Sequence, residues 1–165
     1  MSTRTETPTA RPAVDGVKGA RILIVESRYY ADIADALISG AEREIKKNGA
    51  VAERVVVPGA FEIPGAIALA AGRYDGFVAL GCVIRGETTH YDYVCGESAR
   101  GIQELAIRHG LAIGYGILTV ENEAQALVRA APAEGDKGGR DKGGEATRAC
   151  LALIELKRRF QGNQG

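Results

Sequence analysis

The chain has 165 residues and a formal net charge of zero, because 21 lysine and arginine residues balance 21 aspartate and glutamate residues. A chain of this length corresponds to one domain, and its balanced charge argues against nucleic acid held by a basic surface. Hydrophobic residues make up 45% of the chain and charged residues 25%, globular values that exclude general disorder.

The first segment, residues 1–17, is rich in Thr and Pro with alternating charges, which predicts a flexible N-terminal arm before a single domain over residues 18–165. It contains no apolar core of signal-peptide length, and no uncharged apolar stretch in the chain approaches membrane-spanning length. We therefore expect a soluble, cytoplasmic protein with no membrane partner.

Cys82, Cys95 and Cys150 are odd in number and lack C-x-x-C spacing. This pattern favours buried free thiols over a disulfide framework or a zinc site.

Four apolar runs predict four β-strands, at residues 22–25, 55–57, 77–84 and 113–120. Each run is nearly continuous rather than alternating, which is expected for strands buried on both faces.

Helical patterns separate and follow these strands, at residues 33–45, 64–71, 92–109, 122–130 and 145–160. Strands that alternate with helices predict right-handed parallel crossovers and a three-layer α/β sandwich. Ligands of such folds bind at the carboxyl ends of the strands, so the loops after the strands are the candidate site.

The segment 81–92 leaves a strand and enters a helix, with Thr88, Thr89 and His90 at the helix N-terminus. This arrangement suits an anion, although Thr88, Thr89 and Asp92 could equally serve only as helix caps. His90 could transfer protons near neutral pH or be a structural hydrogen-bonding group. His109 lies in the last turn of the same helix, where a cation favours the helix dipole.

The loop 58–64 offers backbone groups, the Phe61 ring and the Glu62 carboxylate after the second strand. These groups could form a stacking pocket for a planar heterocycle, or a rigid turn with Phe61 folded into the core. Tyr29 and Tyr115 supply further aromatic surface that a core could also absorb.

A glycine-rich stretch at 135–144 duplicates Asp-Lys-Gly-Gly. It is not a phosphate-binding P-loop, because neither Lys137 nor Lys142 is followed by Ser or Thr.

Three motifs carry a specific resemblance: PGAFEIP at 58–64, GCVIRGETTHYDYV at 81–94 and GILTVEN at 116–122. Together they resemble the 6,7-dimethyl-8-ribityllumazine synthase family, over residues 22–160. The resemblance implies condensation of 5-amino-6-(D-ribitylamino)uracil with 3,4-dihydroxy-2-butanone 4-phosphate, which releases phosphate and water in the penultimate step of riboflavin biosynthesis. It implies no metal and no organic cofactor.

The resemblance also implies roles for individual residues. His90 matches the proton-transfer residue. The pyrimidine and ribityl positions are Tyr29, Ala60, Phe61, Glu62, Cys82, Val83, Ile84 and Tyr115. The phosphate positions are Glu87, Thr88 and Arg129. Tyr29 departs from the Phe or Trp usual in the family, and either Lys142 or Lys137 could take the family's loop-lysine position.

For this family we expect a flavodoxin-like α/β/α sandwich with a four-stranded parallel sheet of order 2-1-3-4. Arg129 then lies near the far edge of the sheet, so the resemblance implies a homopentamer with small-molecule sites between neighbouring subunits. Two alternatives stay open: a non-catalytic lumazine- or flavin-binding shell protein, and a flavodoxin-like phosphate or nucleotide binder.

Overall fold

The computed structural model describes residues 13–133 and 138–162. In chain order the elements are β1 (Arg21–Ser27), α1 (Ala31–Lys47), β2 (Val51–Val57), a 3₁₀ turn (Ala60–Glu62), α2 (Ile63–Ala70), β3 (Gly76–Ile84), α3 (His90–His109), β4 (Ile113–Val120), α4 (Glu123–Ala130) and α5 (Lys142–Gly162).

The four strands form one parallel sheet of order β2-β1-β3-β4, which confirms the expected topology. Helices α1, α4 and α5 pack on one face, and α2 and α3 pack on the other. The three-layer α/β/α architecture is therefore confirmed, and the carboxyl ends of all four strands lie at one edge of the sheet.

Alternation along the strands divides the core in two. In β1, Ile22 and Ile24 join the cluster beneath α1 and α5, whereas Leu23 and Val25 join the cluster beneath α2 and α3. All four side chains are at most 3% exposed. Burial on both faces explains why this run is continuously apolar.

Strand β2 is not buried on both faces, so the expectation that every strand is buried in this way is wrong. Val51 is 56% exposed and Val56 is 61% exposed in the single chain. The strand lies at the sheet edge, where only β1 pairs with it, and the helices cover the central strands more fully. Its apolar surface is thus available to another molecule.

The N-terminal part of the described chain already packs against the fold. Val17 is fully buried, and the backbone N–H of Val14 donates to Oδ1 of Asn48 at 2.6 Å. Most of the expected arm, residues 1–12, lies outside the described residues.

Helix α5 begins at Lys142, three residues before the predicted start. Asp141 adopts a left-handed φ of 46°, and its Oδ1 accepts from the N–H of Gly144 at 3.2 Å. A Cβ on Gly143 would lie 2.0 Å from the carbonyl oxygen of Leu37, so this start of α5 requires glycine to approach α1. The alternative lysine, Lys137, lies outside the described residues.

The described cysteines are all free, and Cys82 and Cys150 are buried as predicted, whereas Cys95 is half-buried. No described helix has both the length and the apolar character needed to cross a membrane.

Candidate active site

A cavity of about 650 Å³ opens at the carboxyl ends of β1, β2 and β3. Its walls include nine of the residues that the sequence singled out: Tyr29, Ala60, Phe61, Glu62, Cys82, Val83, Ile84, Thr88 and His90. The parallel sheet brings the three loops together because the strands that precede them are neighbours.

Two aromatic side chains stand at this cavity with their faces open. Tyr29 is 76% exposed and Phe61 is 55% exposed, so Phe61 is not folded into the core. The ring of Tyr29 meets that of Tyr30 edge to face, with centroids 5.0 Å apart. Open aromatic faces of this kind can stack on a planar heterocycle.

The loop after β2 presents backbone groups and one carboxylate. The N–H of Glu62 donates to the carbonyl of Gly59 at 3.2 Å, which closes the 3₁₀ turn. A Cβ on Gly59 would lie 3.1 Å from Oε2 of Glu62, so the carboxylate lies close to the glycine backbone. Such a turn can offer amide and carbonyl groups to a polar heterocycle.

The N-terminus of α3 also lines the cavity. Its first residue, His90, is exposed, and its backbone N–H donates to Oγ1 of Thr88 at 3.3 Å. The side chain of Thr89, the N-cap residue, makes no capping hydrogen bond. Thr88 thus makes the local hydrogen bond that the sequence allowed. The positive dipole end of the 20-residue helix α3 lies at the cavity wall.

Arg85 connects this wall to the residue that follows β4. Its Nε donates to Oε2 of Glu121 at 2.8 Å, and its guanidinium carbon lies 4.3 Å from the ring centroid of Tyr91, a residue of the cavity wall. The hydrogen bond to Glu121 is the main cause that raises the pKa of Arg85 above its ordinary value. Arg85 therefore holds the loop between β3 and α3 in place.

The Cys82 thiol is not suited to nucleophilic chemistry. Burial is the main cause that raises its pKa from 9.0 to about 11. Since the thiolate is the reactive form, the side chain stays protonated and inert near neutral pH.

Three predicted site residues lie outside the cavity wall. Glu87 is exposed between two wall residues. Tyr115 is 42% exposed on β4, and burial of its hydroxyl is the main cause that raises its pKa. Arg129 lies on α4, where its Nη1 donates to the carbonyl of Gln125 at 3.0 Å. Lys142 is also outside, and its Nζ donates to Oε2 of Glu145 at 2.9 Å.

The wall also contains residues to which the sequence analysis gave no individual role: Ser27, Tyr30, Pro58, Gly59, Gly86, Tyr91 and Val94. All but Val94 lie in or next to the loops after the first three strands, and that position was the available signal. Among the described residues, no group of three or more His, Cys, Asp or Glu side chains is placed to hold a metal ion.

Comparisons with known proteins identify the family of this chain. Residues 19–158 match the family model of 6,7-dimethyl-8-ribityllumazine synthase. The chain is 57% identical over 143 residues to the 6,7-dimethyl-8-ribityllumazine synthase of Novosphingobium aromaticivorans, which covers 86% of this chain and 99% of the relative. It is 51% identical over 166 residues to the enzyme of that name from Azorhizobium caulinodans, which covers 96% of this chain and 98% of the relative.

A third relative, 6,7-dimethyl-8-ribityllumazine synthase 1 of Rhizobium meliloti, is 53% identical over 151 residues and covers 87% of this chain. These matches cover the three strand-end loops, α3 and α4 together. The chain therefore belongs to the 6,7-dimethyl-8-ribityllumazine synthase family, a family of transferases in riboflavin biosynthesis.

Proposed function

We propose that the cavity condenses 5-amino-6-(D-ribitylamino)uracil with 3,4-dihydroxy-2-butanone 4-phosphate to give 6,7-dimethyl-8-ribityllumazine, phosphate and water. The observation that carries this proposal is one cavity lined both by the exposed aromatic side chains of Tyr29 and Phe61 and by an exposed histidine at a helix N-terminus. A planar pyrimidine and a phosphate ester need these two kinds of surface.

The pyrimidine lies against Phe61 and Tyr29, with its polar edges on the backbone of residues 60–62 and 82–84. The ribityl chain extends towards Glu62, whose exposed carboxylate can accept from hydroxyl groups. The hydroxyl of Tyr29, absent from Phe or Trp at this position, adds a polar group to the rim.

The phosphate lies at Glu87 and Thr88, where backbone amides at the start of α3 favour an anion. Arg129 adds a charge-assisted hydrogen bond to the same phosphate. This residue is far along the chain from the cavity wall and comes from a neighbouring copy.

The reaction needs proton transfers rather than a covalent nucleophile. The amine of the pyrimidine attacks the ketone, and loss of water gives an imine. Elimination of phosphate then leaves an enol, which tautomerises to a ketone. The ribityl nitrogen attacks this ketone, and loss of a second water closes the ring. His90 accepts and returns protons in these steps, and the site accelerates them largely by holding two reactants together.

We propose five copies in a ring, each formed by the domain of residues 18–165. The support is the exposed apolar surface of β2 on one side of the chain and the half-exposed ring of Tyr115 on the other side. Head-to-tail contact between two such different surfaces forms a ring when the rotation between successive copies closes. In that ring Tyr115 and Arg129 of one copy complete the cavity of the next. The cytoplasmic location expected from the sequence stays a prediction.

The proposal is tested by incubating the protein with both substrates and recording lumazine absorbance and fluorescence. We expect the product signal only when both substrates are present, and equimolar release of phosphate. Lumazine binding without formation from the substrates would instead favour the non-catalytic binding protein. Binding of a nucleotide with no lumazine product would favour the phosphate or nucleotide binder.

A further inference from the structure

The last residue but one of β1 is a buried carboxylate with no part in the chemistry above. Glu26 is 1% exposed, although it directly precedes Ser27 in the cavity wall. Alternation along the strand places Glu26 on the face of Ile22 and Ile24, beneath α1, and Ser27 on the other face. The carboxylate therefore reaches the site only through other groups.

Two arginines bind this carboxylate. Nη1 of Arg28 donates to Oε1 of Glu26 at 2.8 Å, and Nη2 of Arg54 donates to the same oxygen at 3.2 Å. The other oxygen, Oε2, also lies 3.2 Å from Nη2 of Arg54 but accepts no hydrogen bond from the described residues. A buried charge of this kind is costly unless it is paired, so its partners are held firmly.

Each arginine also pairs with a carboxylate on α1. Arg28 bridges Glu26 and Asp35, and Arg54 bridges Glu26 and Glu42, the last contact at 3.4 Å. The hydrogen bonds to Glu26 and then Asp35 raise the pKa of Arg28. The network thus joins the end of β1, the middle of β2 and one side of α1.

The two arginines lie in different parts of the fold, so each connects Glu26 to a different segment. Arg28 lies between Ser27 and Tyr29, which both form the cavity wall, so its side chain fixes the backbone that aims Tyr29. Arg54 lies within β2 and is not a wall residue. One carboxylate thus holds a site loop through the first arginine and a strand through the second.

We propose that Glu26 is a positioning residue of the cavity, acting through Arg28 on the loop that carries Tyr29. The inference rests on the proposed function for the identity of the ligand. Charge and hydrogen bonds on the α1 face hold the loop, and the exposed ring of Tyr29 in that loop meets the pyrimidine.

The test compares Glu26→Gln and Arg28→Ala with Arg54→Ala as the matched control. Both test variants are expected to raise the KM of the pyrimidine and the dissociation constant of lumazine about tenfold, with kcat within about threefold of wild type. Arg54→Ala lowers the thermal midpoint but leaves KM and the lumazine dissociation constant unchanged. The double variant Glu26→Gln with Arg28→Ala is expected to match either single variant, because both changes break one connection.

Equal losses of thermal stability in Glu26→Gln and Arg54→Ala with unchanged KM would overturn the inference, since the network would then be only structural. Additive effects in the double variant would also overturn it. If Glu26→Gln does not fold, Arg28→Ala and Asp35→Asn are compared with Arg54→Ala instead, because Arg28 is half-exposed and Asp35 is exposed. A wild-type protein that binds lumazine but forms none would overturn the proposed function, and the binding comparison would still decide the role of Glu26.

Discussion

In the proposed shared site, Arg129 on α4 is the residue that binds the phosphate of the substrate held by a neighbouring copy. Its contact with the Gln125 carbonyl uses one of the five N–H donors of the group. Donors of this kind recognise phosphate by charge-assisted hydrogen bonds.

Arg129→Ala is expected to reduce kcat/KM for the butanone phosphate by one to two decades. A hydrogen bond to a charged group contributes about 1.5–3 kcal/mol, which corresponds to that factor. Steady-state kinetics with each substrate varied will measure it, with the exposed Arg159→Ala as control. An unchanged response to the butanone phosphate would remove Arg129 from the site.

His90→Ala is expected to retain measurable activity. General acid–base help is typically worth about 10²–10⁴-fold, and water can replace it at an exposed position. His109→Ala is the matched control, because this exposed histidine lies at the other end of α3. If pyrimidine affinity collapsed in His90→Ala while bound substrate turned over normally, His90 would be structural.

Sequence alone predicted that residues in the loops after the strands lie at the cavity. Phe61 and His90 are of this kind, because a buried strand and a helix start fix their positions. The Glu26 network could not be foreseen, since Glu26 and Arg54 are 28 residues apart and meet only when β1 pairs with β2.

Among the strands, the exposure of β2 shows that an apolar run predicts burial but does not identify what covers the strand. Its valines satisfy the pattern of a buried strand, yet the run does not say whether a helix of the same chain or another molecule covers it. The start of α5 was also missed, because Gly143 and Gly144 read as loop residues until α1 is known to pack against them.

The start of α5 yields a prediction on stability. Asp141 holds a left-handed backbone and accepts from the N–H of Gly144. Burial is the main cause that raises the pKa of Asp141, so ionisation of this carboxyl disfavours the folded state. The stability linked to its protonated form is fully present below the unfolded pKa and is lost as pH rises through the raised folded pKa.

Asp141→Ala is therefore expected to lower the free energy of unfolding by about 1–3 kcal/mol, through the lost cap and the left-handed strain. Asp141→Asn keeps the acceptor and the tolerated conformation, and is expected to cost less than about 1 kcal/mol. Urea unfolding at fixed protein concentration will compare them. Equal losses would show that the charge, rather than the cap, stabilises the helix start.

At the scale of the whole molecule, the connection between α4 and α5 bears on assembly. Its described part folds back on α4, with the N–H of Asp141 donating to the carbonyl of Ala131 at 2.9 Å and that of Arg140 to Val128 at 2.9 Å. The duplicated Asp-Lys-Gly-Gly lengthens this connection, which we expect to change how pentamers can meet.

We expect an isolated pentamer, or at most a pair of pentamers, rather than a larger shell. Light scattering at physiological salt should give five copies of the 17.4 kDa chain, about 87 kDa, or twice that mass. A particle of megadalton mass would show that the connection does not prevent a shell.

The measurement that tests the shared site most directly mixes His90→Ala and Arg129→Ala proteins under conditions that exchange subunits. If a site takes His90 from one copy and Arg129 from the next, equal and random mixing in a ring makes about a quarter of the sites intact. We expect recovery of about a quarter of wild-type activity, well above either variant alone. Activity that stays at the mean of the two variants, despite demonstrated exchange, would contradict it.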